Sequence, residues 1–303
     1  MKNKITFLFI LLLSMTTMTS CDDNIKVEER GRPLIIGHRA TGVGVNDGFI
    51  ENTMPAIREV LKYIDGVEVD IQMSSSKTLW VYHDDLFANL DDASKALLES
   101  KEYLCLINTP DSIIEKLRIC RKGIEERLYK LEEVFSEIVK NKDKIISIDI
   151  KGYFHPSCVE GRNVDRTYQY ELADALYALA KKHDAKEQII AETVYIGVFD
   201  RLKELDKTIQ CYYLIDSQMD EKINFALENK ADGLSINIYD KTINTEQINK
   251  AQGKGLKIKF WGVLIKEDLN LALKYDPYAI EISNLELIRT ISTSGDSLQI
   301  NSL

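Results

Sequence analysis

Residues 67–85 read VEVDIQMSSSKTLWVYHDD. The first half alternates strictly, with Val67, Val69 and Ile71 on one side and Glu68 and Asp70 on the other. A strand repeats every two residues, so the two acids share a face. Whether that face meets water or something else depends on the sheet that holds it. After a serine-rich interval the run resumes as TLWVYHD, which reads as a continuation of the same strand and carries His83 near its end.

The remainder of the chain supplies the sheet. Strand-like runs appear at LIIGHR (34–39), GVEVDIQM (66–73) and KIISIDIKG (144–152), then at EQIIAET, IQCYYLID, DGLSINI, LKIKFWGV and YAIEIS. Between them lie stretches of helical period. The first is NTMPAIREVLKYI (52–64), with Asn52 placed to cap it; others are LYKLEEVFSEIVK (128–140) and YQYELADALYALAKKHD. Strands alternating with helices imply parallel βα units. Eight such pairs predict an α/β fold of the (β/α)8 TIM-barrel type. An open doubly wound sheet is the rival, but the glycine-rich phosphate loop expected of it is missing. Residues 86–127 are too long for an ordinary βα loop. They read as an insertion after the second strand, helical near Ser112 to Cys120, that either caps the barrel mouth or is a mere excursion.

With 303 residues the chain can bury one large core. Its net charge of −9 disfavours nucleic acid as a partner. The start has a different character. Lys2 and Lys4 precede an apolar run, Ile5 to Met15, too short to span a bilayer comfortably. Residues 1–20 therefore read as a signal peptide. Met18-Thr19-Ser20-Cys21 resembles the lipobox of bacterial lipoproteins, which makes Cys21 a candidate lipidation site, residues 21–32 a tether and residues 33–303 the barrel. The expectation is an exported protein of the bacterial cell envelope, held to a membrane through a lipid anchor. Four cysteines remain. None has metal-ligand spacing; Cys105 with Cys120 is one available pairing, and buried free thiols are the other reading.

In a barrel, catalytic groups come from the C-terminal ends of several strands. Here those ends carry His38 and Arg39, Glu68 and Asp70, His83, Asp149 and Lys151, and Lys259 to Trp261. Carboxylates are expensive to bury without compensation. A hard divalent cation held by Glu68, Asp70 and Asp149 would resolve the cost, and an all-oxygen donor set points to Ca2+ or Mg2+.

The segments GHRATG…ENT (37–53), VEVDIQMS…LWVYHD (67–84), LYKLEEVF (128–135) and ISIDIKG (146–152) together resemble the glycerophosphodiester phosphodiesterases, of the phosphatidylinositol-phospholipase-C-like superfamily. The resemblance implies a metal-dependent phosphodiesterase that releases sn-glycerol 3-phosphate and an alcohol from a small glycerophosphodiester. It places His38 and His83 as the two catalytic histidines and Arg39 as a phosphate contact. Glu68 and Asp70 match metal ligands, and Asp149 stands where the third is usually a glutamate. Lys151 matches the lysine of that motif, Glu51 the acid near the metal, and Trp261 a pocket aromatic. The sequence departs from the pattern in the 13-residue separation of His38 and Glu51, in Ala40 where glycine is usual, and after His83. Two alternatives share the same barrel: a lyase that stops at a cyclic phosphate of a lysophospholipid, its acyl chain met by Leu97, Leu98 and Tyr103, and a binding lipoprotein without turnover. Glu192 and Asn237, near strand ends, are further residues that could touch substrate, whereas His155 and His183 read as structural.

Overall fold

The computed structural model describes residues 31–152, 155–159, 165–215 and 217–293. Cys21 and the expected signal peptide and tether up to residue 30 lie outside the described residues. Among those described, eight parallel strands close on themselves. They are β1 (Leu34–Gly37), β2 (Gly66–Met73), β3 (Ile145–Ile150), β4 (Ile189–Thr193), β5 (Gln210–Ile215), β6 (Gly233–Asn237), β7 (Lys257–Val263) and β8 (Ala279–Ile282). Each pairs with its neighbours in parallel, and β1 joins both β8 and β2, so no edge is left. The helices that follow them are α1 (Met54–Val60), α2 (Leu131–Ile138), α3 (Arg166–Lys182), α4 (Ile196–Leu205), α5 (Met219–Glu228), α6 (Thr245–Gly253), α7 (Lys266–Leu273) and α8 (Leu285–Thr293). Outward-facing strand residues such as Val67, Val69 and Ile71 meet the helices in the main apolar core.

The barrel interior is graded. A plug of Leu34, Ile36, Ile190, Tyr212 and Ala279 fills the end where the strands begin. Above it lies an ionic layer. Lys259, with no exposed surface, contacts both Glu192 and Glu281 and donates to Ser147 Oγ at 3.0 Å. Burial, and then the neighbouring Glu192, push Glu281 up to about 8. Burial acts the same way on Glu192, but Lys259 holds it below its ordinary value. Above this layer, Asp70 and Asp149 stand side by side in register on β2 and β3.

Three local expectations are corrected. TLWVYHD does not continue β2; it turns back through Ser74–Thr78 and runs antiparallel to it, Ile71 facing Val81. A continuous strand would have carried His83 away from Asp70, whereas the hairpin brings the Tyr82 amide to the Asp70 carbonyl at 3.0 Å. The α1 cap is Thr53, not Asn52, because Asn52 takes the left-handed conformation (φ 57°) and turns its side chain inward. Within 112–120 only Asp111–Ile114 is helical; Arg118–Arg121 is a strand paired with Ile124–Arg127 across a Lys122-Gly123 turn. Both turn residues have positive φ, the geometry that a two-residue hairpin demands.

The insertion has a core of its own, in which Leu98, Leu106, Ile114, Leu117 and Ile119 pack on Ile50, Trp80 and Tyr82, with Leu97 and Tyr103 against them. The extra length between His38 and Glu51 is a second small hairpin, Val45–Asn46 with Phe49–Ile50 around Asp47-Gly48. Cys105 pairs with Cys158, not with Cys120, and so ties the insertion to the segment that follows β3. Cys120 and Cys211 are free.

Two predictions follow from these constraints. The disulfide closes a loop of 53 residues, so its loss in Cys105→Ser/Cys158→Ser should cost about 4 kcal/mol. In a domain of this size that is roughly 10 °C in Tm. A protein beginning after Cys21 should titrate two thiols in denaturant before reduction; four would contradict the pairing. Lys259→Met leaves two carboxylates buried with no cation, and should lower urea stability by about 3–5 kcal/mol. Adding Glu192→Gln and Glu281→Gln to it should recover most of that loss.

Candidate active site

The site is built where β1, β2 and β3 end. β1 stops at Gly37, where a Cβ would lie 2.1 Å from the Ala40 carbonyl oxygen, so only glycine lets the chain fold back so tightly. Arg39 and Ala40 follow with φ of 46° and 68°, the left-handed region. This turn aims the Arg39 amide at Glu68 Oε2, 2.7 Å away. It leaves His38 with Nδ1 2.7 Å from Ser283 Oγ and Nε2 3.9 Å from Glu68 Oε2. Burial, and then the Arg39 charge, push His38 down to about 3, so its imidazole is neutral at ordinary pH.

Asp70 is the most heavily compensated acid. Lys151 Nζ lies 3.0 Å from it and Arg39 Nε 3.3 Å, and Asn52 donates to it at 2.8 Å. Burial opposes ionisation there, but Lys151 and Arg39 hold Asp70 well below the ordinary range. Lys151 also contacts Asp149. Glu68 and Asp149 are less well served. Burial, with Asp70 next, pushes Glu68 well up, and burial raises Asp149 to about 6 against the pull of Lys151.

Glu68, Asp70 and Asp149 each place a carboxylate oxygen so that all three lie within 4.8 Å of one another. Two oxygens across a hard cation with bonds of about 2.4 Å are separated by that much. The residues therefore fit a divalent metal on two counts: an all-oxygen donor set of matching span, and acids that resist joint ionisation without a further positive charge.

His83 stands at the lip, one third exposed, with Nδ1 2.7 Å from Asp84 Oδ1. Its loop is pinned by the Gln72 amide, which donates to the carbonyls of Tyr82, His83 and Asp84 at 3.3, 3.3 and 2.9 Å. Glu51 is buried. It accepts from Gly44 N at 2.9 Å and Arg39 Nη1 at 3.1 Å, and it pairs with Arg121 Nη1 at 2.8 Å. Trp261, half-buried near the end of β7 opposite Asn237, has an indole N–H with no hydrogen-bond partner among the described residues.

The structure thus gathers His38, Arg39, Glu51, Glu68, Asp70, Asp149 and Lys151 into one connected cluster, with His83 beside it. Glu192 belongs to the ionic layer beneath, where Lys259 contacts it, and Asn237 accepts from the Tyr239 amide. His183 caps α3 and stacks on Phe135, and His155 Nδ1 accepts from the Ser157 amide. Four further residues touch this cluster: Asn52, Asp84, Arg121 and Ser283. For Asn52 the ENT triplet was the available hint; Arg121 and Ser283 arrive from distant segments with none.

The family model described as "Glycerophosphoryl diester phosphodiesterase family" matches residues 38–282. A glycerophosphodiester phosphodiesterase of Caldanaerobacter subterraneus is 22% identical over 253 residues, which cover 80% of this chain and 90% of that protein. Among solved structures, a glycerophosphodiester phosphodiesterase of Parabacteroides distasonis superposes with a TM-score of 0.67 at 15% identity, covering 87% of this chain and 98% of that one. A phosphodiesterase of Oleispira antarctica, solved in complex with the product sn-glycerol-3-phosphate, does so with a TM-score of 0.67 at 16% identity, covering 86% and 96%. With a match from the first candidate histidine to the end of β8, on a closed barrel with an acidic mouth, the chain belongs to the glycerophosphoryl diester phosphodiesterase family of enzymes.

Proposed function

We propose that the protein hydrolyses a small glycerophosphodiester to sn-glycerol 3-phosphate and an alcohol, with Glu68, Asp70 and Asp149 holding Ca2+ or Mg2+. The observation that carries this reading is the convergence of three carboxylates, two histidines and two cations on one barrel mouth in a chain of this family. The product named for the Oleispira antarctica structure supports the substrate class.

A phosphodiester is an anion, and its charge repels a nucleophile. A divalent metal held by Glu68, Asp70 and Asp149 would supply Lewis-acid stabilisation of phosphoryl oxygens. Arg39 and Lys151 add fixed positive charge beside the same place, already oriented by Glu51, Asp70 and Asp149, so little reorganisation is needed as charge develops. His38 and His83 exchange protons with the nucleophile and the leaving alcohol. Their first partners orient them: Ser283 at Nδ1 of His38, and Asp84 at Nδ1 of His83, leave the Nε2 atom of each ring for the reaction. Trp261 offers its half-buried ring to the substrate from the β7 side of the mouth.

The lyase alternative leaned on an acyl chain in the insertion. Leu98 is buried in the insertion core and Leu97 and Tyr103 pack against it, which favours a short alcohol instead. Export and lipidation at Cys21 belong to the same proposal. The Cys105–Cys158 bridge supports an oxidising compartment, and the lipobox-like stretch before Cys21 supports the anchor.

Phosphorus NMR of the protein with glycerophosphoethanolamine and Ca2+ or Mg2+ should give sn-glycerol 3-phosphate. Accumulation of a cyclic phosphate alone would select the lyase reading, and turnover indifferent to EDTA would overturn the metal site. His38→Ala and His83→Ala should each lower kcat by about 10²–10⁴-fold. Asp149→Asn should abolish metal-dependent turnover while leaving the circular dichroism spectrum unchanged.

A further inference from the structure

Arg121 is the one cation that the insertion sends to the site cluster among the described residues. It ends the first strand of the Arg118–Arg121/Ile124–Arg127 hairpin, just before the Lys122-Gly123 turn. Its two guanidinium nitrogens go to different places. Nη1 meets Glu51 Oε1 at 2.8 Å, and Nη2 lies 3.9 Å from Asp84 Oδ2. Asp84 in turn holds His83 Nδ1 through its other oxygen, at 2.7 Å. Glu51 holds Arg39, and Arg39 reaches Asp70. Asp70, Arg39, Glu51, Arg121 and Asp84 therefore alternate in charge on the way to His83, the Arg121–Asp84 step being a 3.9 Å ion pair rather than a hydrogen bond. Arg121 is a charged side chain that joins the Glu51–Arg39 side of the site to Asp84 beside His83, while Gln72 holds the backbone of the same loop.

The hairpin that carries Arg121 is itself fixed. Leu90 bridges Ile119, the Cys120 amide donates to Asn89 O at 2.6 Å, and Ile119 is buried in the insertion core with Ile50 and Tyr82. His83, by contrast, is among the more exposed members of the cluster, on a loop rather than a strand. A flat, five-donor guanidinium can serve two carboxylates at once; an ammonium on a flexible stem cannot span them with the same geometry.

We propose that Arg121 is a positioning residue for His83: it fixes Asp84 so that Asp84 fixes the imidazole, and the insertion exists partly to deliver it. The inference rests on the reading of His83 as a proton-transfer group. A ring held at Nδ1 by a carboxylate keeps one tautomer and presents Nε2. Once Arg121 is gone, Asp84 is free to swing away and the ring loses both tautomer and aim. Misplacement of about 1 Å in such a group costs on the order of 10²-fold in rate.

The test uses the chain from residue 22 with Arg121→Ala, Arg121→Lys and Asp84→Asn, each also in a His83→Ala background. The probe is glycerophosphoethanolamine with saturating Ca2+ or Mg2+. Arg121→Ala should lower kcat on the order of 10–100-fold with KM within about twofold, Arg121→Lys should restore part of it, and Asp84→Asn should mimic it. In the His83→Ala background Arg121→Ala should add almost nothing, since residues that act through one another are not additive. An equal loss in both backgrounds, a change confined to KM, or an unchanged kcat overturns the proposal. A spectroscopic arm is independent of turnover. The chain has only four histidines, so ¹⁵N-histidine spectra resolve each ring. His83 should show one locked tautomer in the wild type and averaging in Arg121→Ala, with His155 and His183 unmoved; an unperturbed His83 overturns the proposal. A wild type that turns over no diester would refute the functional reading, and the tautomer spectra would still decide the role of Arg121.

Discussion

Asp70 has almost no solvent exposure, yet Lys151, Arg39 and Asn52 hold it ionised. An isolated carboxylate in that position would cost several kcal/mol and would take up a proton instead. The compensation dictates much of the local structure. Arg39 must turn left-handed to reach both Asp70 and Glu51, Asn52 must leave its cap position, and Lys151 must follow β3 on the same inward face as Asp149. Only Asp70 receives this treatment. Glu68 and Asp149 remain under-compensated, and the imbalance leaves the trio able to take up a cation.

The ionic layer beneath extends the same argument downward. Lys259 sits between Glu192 and Glu281, one cation for two acids. A barrel filled with aliphatic residues to the top would leave the acidic mouth resting on a low-dielectric floor. With the layer in place, polarity rises in steps from the plug of Leu34, Ile36 and Tyr212 through Lys259 to the open end. The interior therefore gives up packing energy for a graded electrostatic environment, since a buried ion pair contributes little net stability over apolar residues of similar volume.

The barrel was legible because its signal is periodic and repeated: strand and helix alternate along the chain, and each unit reinforces the others. The inward acids were legible for the same reason, since Glu68, Asp70 and Asp149 stand at alternate positions on strands. What the sequence conceals is whatever a turn decides. SSSKT between Met73 and Leu79 is as compatible with an interruption as with a reversal, and only the pairing of Ile71 with Val81 distinguishes them. Asn52 reads as a helix cap because asparagine caps helices, but the same residue is also the commonest non-glycine visitor to the left-handed region, and here that second property prevails. Ser283 and Arg121 touch the site from segments 245 residues from His38 and 70 residues from Glu51 in sequence; no local pattern encodes contacts so distant. The Cys105–Cys158 pairing is of the same kind.

The insertion is the part that spacing alone could not interpret, and its packing changes what it can be. Leu97, Leu98 and Tyr103 pack into its own core against Ile50 and Trp80, so they are not held open for a substrate. What it presents to the mouth is charged: Arg121, between two carboxylates of different loops. It is anchored there on two sides, by the disulfide toward the segment after β3 and by Asp111, which accepts from Ser74, Thr78 and Trp80 of the hairpin that follows β2. A decorative excursion has no need of two anchors and a half-buried ion pair beside its turn. An element fixed in this way behaves as part of the scaffold, and the groups it carries inherit the rigidity that proton transfer between oriented partners requires.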